Sequence, residues 1–350
     1  MVITIGSSTS ISSSSWTTSL FSLVLAGLSL AVAASLAIKS PTAKAPNDNH
    51  SGRNARRIRI ACLGNSIQYY NDCPRLLERM LQEAAGGYYD EVYQNSCLRG
   101  GASIISLWEQ GNGMRNKFRT HNALRPDGSY DIGAPTVKSL LEDKDHNKRF
   151  DFVVINDHTQ SPAREASRTE TVNLLKEDYV PLMVQSGATP VFLQTAAYRK
   201  VDIRGTSDLG DFDHYTKLLT EGYLLYKEKV DQAMKELNPL STQSTRIAPV
   251  GLAYARIYHS DQELWKQLYD GDNFHPSPHG TLLQAFVLYI TMTQQEPPTS
   301  YDAATWWERA RRMQPPLEFP LPLPTKDDAE VLRKVAIDVC QTSNLLAKVV

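Results

Sequence analysis

Strand and helix signals alternate between Arg57 and Thr293, and this alternation limits the possible folds more than any other feature of the sequence. Short apolar runs of strand length are separated by longer segments of helical periodicity. The predicted strands are 58–63, about 91–96, 150–155, 189–194 and 246–250. A chain that alternates in this way forms a parallel sheet with helices on both faces. We therefore predict an α/β domain built on a five-stranded parallel sheet.

The helical segments carry their own start and stop signals. Residues 74–85 place leucine and methionine on one face, with Pro74 in the first turn and Gly86-Gly87 after the last. Residues 282–293 are apolar on nearly all sides, which is typical of a buried helix. Three more helices are predicted. One follows Gly101, one covers about 170–185, and a long one runs from about 214 to 237.

The first 38 residues differ in composition from the rest of the chain. Residues 20–38 are uncharged and long enough to cross a bilayer, which needs about 20 apolar residues. The small residues Ser35-Leu36-Ala37 also suit a signal-peptide cleavage site. Lysines and arginines follow the apolar run, an arrangement that would favour a cytosolic C-terminal domain if the segment stays as an anchor. We predict a signal peptide or transmembrane anchor, hence a secreted or membrane-anchored protein of open orientation.

The other boundaries follow from composition. Residues 39–56 are polar and predict a flexible linker, and residues 57–298 form the predicted folded domain. Within it, 111–148 is polar and Gly-rich and is interpreted as an insertion near the strand ends. Residues 299–350 predict a helical and Pro-rich extension that packs on the core.

Charge and cysteine content exclude several classes of function. The net charge of −1 gives no electrostatic basis for binding nucleic acid. Four scattered cysteines contain no CxxC pair, which argues against a zinc site built on sulfur. Cys73 and Cys97 either form a disulfide or are buried free thiols, and the sequence leaves both readings open.

Four short polar segments are each predicted to follow the carboxyl end of a strand. They are Gly64-Asn65-Ser66, Gly100-Gly101-Ala102-Ser103, Asn156-Asp157-His158 and Asp272-Asn273-Phe274-His275. Ligands bind open parallel sheets at this edge, in the crevice where strand order reverses. Their convergence is more informative than any one segment, because each could also be an ordinary turn or helix cap.

The last segment carries the strongest chemical signal. Asp272 precedes His275 by three residues in a Pro-bounded loop, so its carboxylate can orient one imidazole nitrogen while the other faces a serine. Ser66, at a helix N-terminus, is the candidate nucleophile. A metal site would combine Asp272 and His275 with Asp270 and His279. Pro276 and Pro278 disfavour it, because they prevent a helix that would bring both histidines to one face.

Two residues are candidates for stabilising an oxyanion. The side-chain amide of Asn156 and the backbone N–H of Gly101 could each donate to developing negative charge. The alternative for both is a structural turn. His158 is interpreted as a structural or pocket-rim histidine.

In order and spacing these segments resemble the SGNH (GDSL-type) hydrolases, named for the Ser, Gly, Asn and His of four sequence blocks. The resemblance covers about 57–293 and implies a flavodoxin-like three-layer α/β/α sandwich. It implies Ser66 as nucleophile, Asp272 and His275 as acid and base, and Ser66, Gly101 and Asn156 as oxyanion donors. Two residues depart from the family pattern: Asn65 replaces the Asp of Gly-Asp-Ser, and Val154 replaces the Gly two residues before Asn156.

These features predict a serine hydrolase that cleaves acyl esters, of short-chain or carbohydrate O-acyl type, with no metal or cofactor. Its expected partners are a small-molecule or carbohydrate ester and, through the N-terminal segment, a membrane, but no nucleic acid. Two alternatives remain: a glycan O-acyltransferase of the secretory pathway, and a catalytically silent binding protein. The Tyr69-Tyr70 pair and the 111–148 segment either shape the pocket or serve only packing and surface.

Overall fold

The structure is a computed structural model that describes residues 56–83, 89, 91–114, 123–124, 130–131, 133–142, 149–307 and 321–349. The predicted anchor or signal and nearly all of the predicted linker lie outside the described residues, so those predictions stay predictions. Among the helices that are described, none combines the length and the apolar character needed to cross a membrane.

One mixed sheet forms the centre of the described chain. Its strands are β1 (Arg57–Gly64), β2 (Glu91–Leu98), β3 (Ala123–Leu124), β4 (Tyr130–Asp131), β5 (Phe152–Ile155), β6 (Thr189–Leu193) and β7 (Arg246–Ala248). The strand order is β4-β3-β2-β1-β5-β6-β7. The five predicted strands pair in parallel, as predicted. The short strands β3 and β4 extend the sheet in antiparallel pairing beside β2 and come from the segment interpreted as an insertion.

Helices flank this sheet in two sets. They are α1 (Ser66–Tyr69), α2 (Cys73–Glu83), α3 (Ile104–Gln110), α4 (Val137–Leu141), α5 (Glu165–Leu174), α6 (Val180–Ser186), α7 (Phe212–Leu237), α8 (Val250–Ser260), α9 (Gln262–Gln267), α10 (Pro278–Thr293) and α11 (Lys326–Val349). Helices α2, α8, α10 and α11 pack together, and α3 to α7 form the second set. The result is the predicted α/β/α sandwich. Its parallel strands follow the doubly wound order of flavodoxin-like folds.

Helix α10 shows how sequence sets an element and its burial. Ser277 caps its N-terminus by accepting from the Gly280 N–H at 3.2 Å, and Pro278 occupies the first turn. Fourteen of its sixteen residues are buried, which explains why its sequence is apolar on nearly every face. Each fully buried Leu or Phe contributes about 2 kcal/mol of hydrophobic stabilisation. This helix therefore fixes the position of the loop that precedes it.

All four cysteines are buried free thiols, so the structure contains no bond between Cys73 and Cys97. Burial raises the pKa of each of these two thiols to about 12. They behave as small apolar core residues.

Candidate active site

Ser66, His275 and Asp272 form a continuous chain of hydrogen bonds. The Oγ of Ser66 lies 2.8 Å from Nε2 of His275, and Nδ1 of His275 lies 2.6 Å from Oδ2 of Asp272. Ser66 begins α1 directly after β1, whereas Asp272 and His275 lie in the loop between α9 and α10. The prediction that their segment follows the end of a strand is wrong, because helices α8 and α9 separate it from β7. The structure therefore brings together three predicted site residues that are up to 209 positions apart.

The carboxylate of Asp272 is held in place on both oxygens. Oδ1 accepts from the backbone N–H groups of Phe274 and His275, at 3.1 and 3.0 Å, while Oδ2 faces the imidazole. Partial burial opposes ionisation, but these hydrogen bonds outweigh it and lower the pKa of Asp272. Asp272 is therefore an ionised acceptor that orients His275 with Nδ1 as the donor and leaves Nε2 free to accept from Ser66.

Two aromatic rings enclose the imidazole of His275. Tyr70 stacks on it with ring centroids 4.2 Å apart and an interplanar angle of 1°, and Phe274 lies at 4.1 Å, tilted by 40°. The side chain of His275 is only 15% exposed. The two rings restrict the rotation of the imidazole. Of the Tyr69-Tyr70 pair, Tyr70 therefore contacts the candidate base.

Hydrogen bonds connect the loop that carries His275 to the segment after Ser66 and to the loop that follows β6. The Asn71 amide donates to the Pro276 carbonyl at 2.7 Å and to Thr281 Oγ1 at 3.0 Å. Asn71 has φ 51°, a left-handed conformation that asparagine tolerates better than most residues. From the other side, Arg199 donates from Nε to the Asn273 side chain at 2.7 Å. These contacts fix the distance between the serine and the imidazole.

Asn65, which replaces the usual aspartate, connects three strand-end loops. Its Nδ2 donates to the carbonyls of Ala102 and Asp157, at 2.8 and 3.2 Å. Its Oδ1 accepts from the N–H of Ile67 and from Nδ2 of Asn156, at 3.0 and 2.9 Å. Asn65 is 2% exposed, and every polar atom of its side chain is paired. The contacts require a neutral amide here, since the two carbonyls can only accept.

We expect Asn65→Asp, which restores the residue usual in the family motif, to lower the free energy of unfolding by about 3 kcal/mol at pH 7. The new carboxylate would be buried against two carbonyl oxygens without a hydrogen to donate. Its pKa would be raised above the unfolded value, so the deficit would shrink as the pH falls towards about 4 and the carboxyl protonates. Urea unfolding at several pH values measures this effect. Asn173→Asp, at an exposed position of α5, is the control, and equal losses in the two variants would contradict the expectation.

Gly64 is required where β1 ends. A Cβ at this position would lie 1.9 Å from Oδ1 of Asn156, and the backbone φ is 150°. Only glycine allows this approach. The same oxygen accepts the backbone N–H of Asn65 at 3.2 Å. The close approach of the Gly64 backbone to the Asn156 side chain therefore sets the direction in which the chain leaves β1 towards Ser66.

Two backbone N–H groups near the serine have no hydrogen-bond partner within the described chain. They belong to Ser66, the first residue of α1, and to Gly101, which is exposed with φ 69°. The first N–H groups of a helix have no intrahelical acceptor. Both groups are thus available as donors to an oxyanion.

Asn156 differs from these two groups because its amide is already engaged. It is fully buried, and Nδ2 donates to Asn65 Oδ1 at 2.9 Å and to the Asp157 carbonyl at 3.1 Å. Both of its hydrogens are therefore used, and a bond to substrate would have to replace one of these contacts. In the structure its amide supports Asn65.

The carboxyl of Asp157, two residues after the end of β5, holds this strand end in place through hydrogen bonds. It is fully buried and accepts from the Ile104 N–H, the Tyr226 hydroxyl and the His158 N–H, at 2.9, 2.9 and 2.8 Å. Burial raises the pKa of Asp157 to about 6, and the hydrogen bonds partly offset this rise. His158 is half-buried, and its pKa is lowered by burial and by the nearby charges of Arg204 and Arg164.

The described residues contain no group of three metal-ligating side chains. Nε2 of His279, one of the four residues of the metal alternative, lies 3.4 Å from Oδ2 of Asp328 on α11. Burial lowers the pKa of His279, and the Asp328 charge opposes this.

Several residues of the site were not predicted from the sequence. Asn71, Tyr70 as a stacking partner, Arg199 and Arg204 have no motif around them, and each acts across more than 60 positions. A signal was present only for Asn65, as a departure from a family pattern. The others were detectable only from three-dimensional contacts.

Fold and site together define an α/β protein with a Ser–His–Asp hydrogen-bond chain at the carboxyl edge of a parallel sheet. Solved structures of similar fold include a DUF4886 family protein from Bacteroides uniformis, with 16% identity and a TM-score of 0.50 over 73% of this chain and 93% of that chain. A proposed SGNH hydrolase from Slackia heliotrinireducens is 23% identical, covers 68% of this chain and 100% of its own, and has a TM-score of 0.45. An acetyl xylan esterase is 16% identical, with a TM-score of 0.37 over 66% of this chain and 98% of that chain.

No family model and no curated protein matches the chain. At 16% identity and a TM-score of 0.50, the likeness to the Bacteroides uniformis protein shows a shared fold. The five parallel strands flanked by helices confirm the predicted α/β fold class.

Proposed function

We propose that this protein is a serine hydrolase that cleaves acyl esters through Ser66, His275 and Asp272. The single observation that carries the proposal is the hydrogen-bond chain from Oγ of Ser66 through both ring nitrogens of His275 to Asp272, at 2.8 and 2.6 Å. A hydroxyl that donates to an oriented, neutral imidazole is an activated nucleophile.

The reaction has two steps. In the first, Oγ of Ser66 attacks the ester carbonyl carbon while Nε2 of His275 takes its proton. The same proton passes to the alcohol as the carbon–oxygen bond breaks, leaving an acyl group on Ser66. In the second, His275 takes a proton from water, the hydroxide attacks the acyl carbon, and the carboxylic acid leaves as Ser66 regains its hydrogen. Asp272 stabilises the imidazolium in both steps.

The free N–H groups of Ser66 and Gly101 are the proposed donors to the oxyanion. One such donor supplies about 3 kcal/mol of transition-state stabilisation. Asn156 is the third proposed donor, and it would exchange its 3.1 Å contact with the Asp157 carbonyl for the substrate oxygen. Short-chain and carbohydrate O-acyl esters are the proposed substrates, on the basis of the motif resemblance.

A fluorophosphonate probe tests this proposal directly on the purified full-length protein. We expect one adduct per chain, located by peptide mass spectrometry on Ser66, and a loss of 4-nitrophenyl acetate hydrolysis in proportion to labelling. An adduct on another residue, or no adduct with an intact fold, would contradict the proposal, and the latter would favour a silent binding protein. Two products are measured with a sugar added: free acetate, which indicates hydrolysis, and acetylated sugar, which indicates acyl transfer.

A further inference from the structure

A single arginine lies over the aromatic residue next to the candidate base. Arg204 is exposed in the loop between β6 and α7, and its guanidinium carbon lies 4.4 Å from the ring centroid of Phe274. The Phe274 centroid is in turn 4.1 Å from that of His275. The sum of these two distances is the upper limit on the separation between the guanidinium and the imidazole. A positive charge is thus held close to the candidate base, His275.

The charge of Arg204 is not neutralised by a neighbouring carboxylate. No ion pair involves Arg204 among the residues that the structure describes, although Arg164 in the same region binds both oxygens of Asp208 at 2.8 and 2.7 Å. Arg199, the other nearby arginine, is occupied by the Asn273 side chain and the Lys266 carbonyl. Arg204 is therefore the arginine of this loop whose guanidinium remains available for a ligand.

The guanidinium of Arg204 lies near residues of the loops that follow β5 and β6. Besides the contact with Phe274, it interacts with the Tyr198 hydroxyl after β6, and its charge reaches His158 after β5. Burial is the main cause of the lowered pKa of His158, and the Arg204 charge adds to it. Burial raises the pKa of Tyr198, which Gln160 and Arg204 oppose. These neighbours carry no negative charge that could compensate the arginine.

The backbone at Arg204 also has an uncommon conformation. Its φ is 54°, in the left-handed region that residues other than glycine and asparagine seldom adopt. Gly205 follows with φ 72°, so the chain makes a tight turn that directs this part of the loop. Strained backbone of this kind is concentrated at functional sites, where the surrounding structure maintains it.

We propose that Arg204 binds a carboxylate carried by the substrate, so that the enzyme prefers acyl esters with an acidic group near the scissile bond. The inference rests on the proposed hydrolase function and names its substrate class. The planar guanidinium matches a carboxylate with two parallel hydrogen bonds, and stacking on Phe274 orients its plane before the substrate arrives. Arg204 is a specificity-determining residue and takes no part in proton transfer.

The test compares charged and neutral esters of equal length. The acidic esters are mono-4-nitrophenyl adipate, with the carboxylate on the acyl side, and 4-carboxyphenyl acetate, with it on the alcohol side. Their neutral partners are 4-nitrophenyl hexanoate and methyl 4-acetoxybenzoate. For each pair, the ratio of kcat/KM for the acidic to the neutral ester is measured in the wild-type protein and in Arg204→Gln. Differences in the intrinsic reactivity of the esters cancel when this ratio is compared between the two proteins.

We expect the ratio to fall about tenfold in Arg204→Gln for one of the two pairs, and the affected pair shows which side of the ester carries the carboxylate. Arg204→Lys should retain part of the preference, and added salt should reduce it, because the contact is partly exposed. Arg256→Gln is the matched control. It removes the same charge from an exposed arginine paired with Asp338 at 3.2 Å, and should leave both ratios within about twofold.

Two results separate this inference from the function on which it rests. Hydrolysis of the neutral esters with unchanged ratios in Arg204→Gln would overturn the role of Arg204 and leave the hydrolase proposal intact. Failure of the wild-type protein to hydrolyse all four esters or to react with a fluorophosphonate would instead contradict the hydrolase proposal, and with it the inference.

Discussion

Ser66→Ala is expected to lower kcat for ester hydrolysis by about 10⁴-fold or more and to abolish labelling by a fluorophosphonate. The substitution removes the hydroxyl oxygen that lies 2.8 Å from Nε2 of His275 and that would form the acyl intermediate. Residual turnover would come from the oxyanion donors and from substrate binding alone. The measurement is kcat for 4-nitrophenyl acetate together with gel detection of the labelled protein.

The fold should tolerate this change, because Ser66 is partly exposed at the first position of α1 and its side chain caps no helix. Ser260→Ala, at the exposed end of α8, is the matched control and should retain full turnover and labelling. Substantial turnover by Ser66→Ala, with thermal unfolding unchanged, would show that the nucleophile lies elsewhere.

Asp272→Asn is expected to lower kcat by about 10² to 10⁴-fold with little change in overall structure. The new amide oxygen can still accept from the N–H groups of Phe274 and His275, but its NH₂ would then face Nδ1 of His275. The imidazole would have to accept at Nδ1 and carry its hydrogen on Nε2. It could no longer take the proton of Ser66, because the nitrogen 2.8 Å from Oγ would be a donor.

Single-turnover kinetics with 4-nitrophenyl acetate separates this effect from slow product release, since acylation itself should be slowed. Asp213→Asn, an exposed carboxylate on α7 that faces His259 at 2.9 Å, removes the same charge from a comparable pair and is expected to stay within about twofold of wild type. An acylation rate close to wild type in Asp272→Asn would mean that His275 needs no carboxylate to orient it.

The loop before α10 shows how far local sequence determined the site. Asp272 and His275 are close in sequence. Pro276 and Pro278, which follow them, restrict the backbone conformations of the chain up to the start of the next helix. The Asp–His contact could therefore be derived without knowing the rest of the fold. The same holds for the five parallel strands, whose apolar runs and helical spacers depend on short-range periodicity.

Asn65 shows where sequence reasoning reached its limit. The sequence alone shows only that asparagine replaces the aspartate of the family pattern at this position. Its four side-chain contacts come from Ala102, Asp157, Asn156 and Ile67, three of which are more than 30 positions away. Only these contacts show that both amide hydrogens are needed, and therefore that the structure requires asparagine at this position.

The sequence by itself determined the α/β class, the strands, the carboxyl edge as the location of the site, and the Asp272–His275 pair, because each depends on residues near one another in the chain. The tertiary structure alone decided that Ser66 meets His275 and that Tyr70 and Phe274 enclose the imidazole. It also decided that Arg204 lies beside Phe274 and has no carboxylate partner among the described residues. The physical reason is that hydrogen bonds, ring stacking and charge pairing act over a few ångströms in space, while the residues that make them are separated by up to 209 positions of chain.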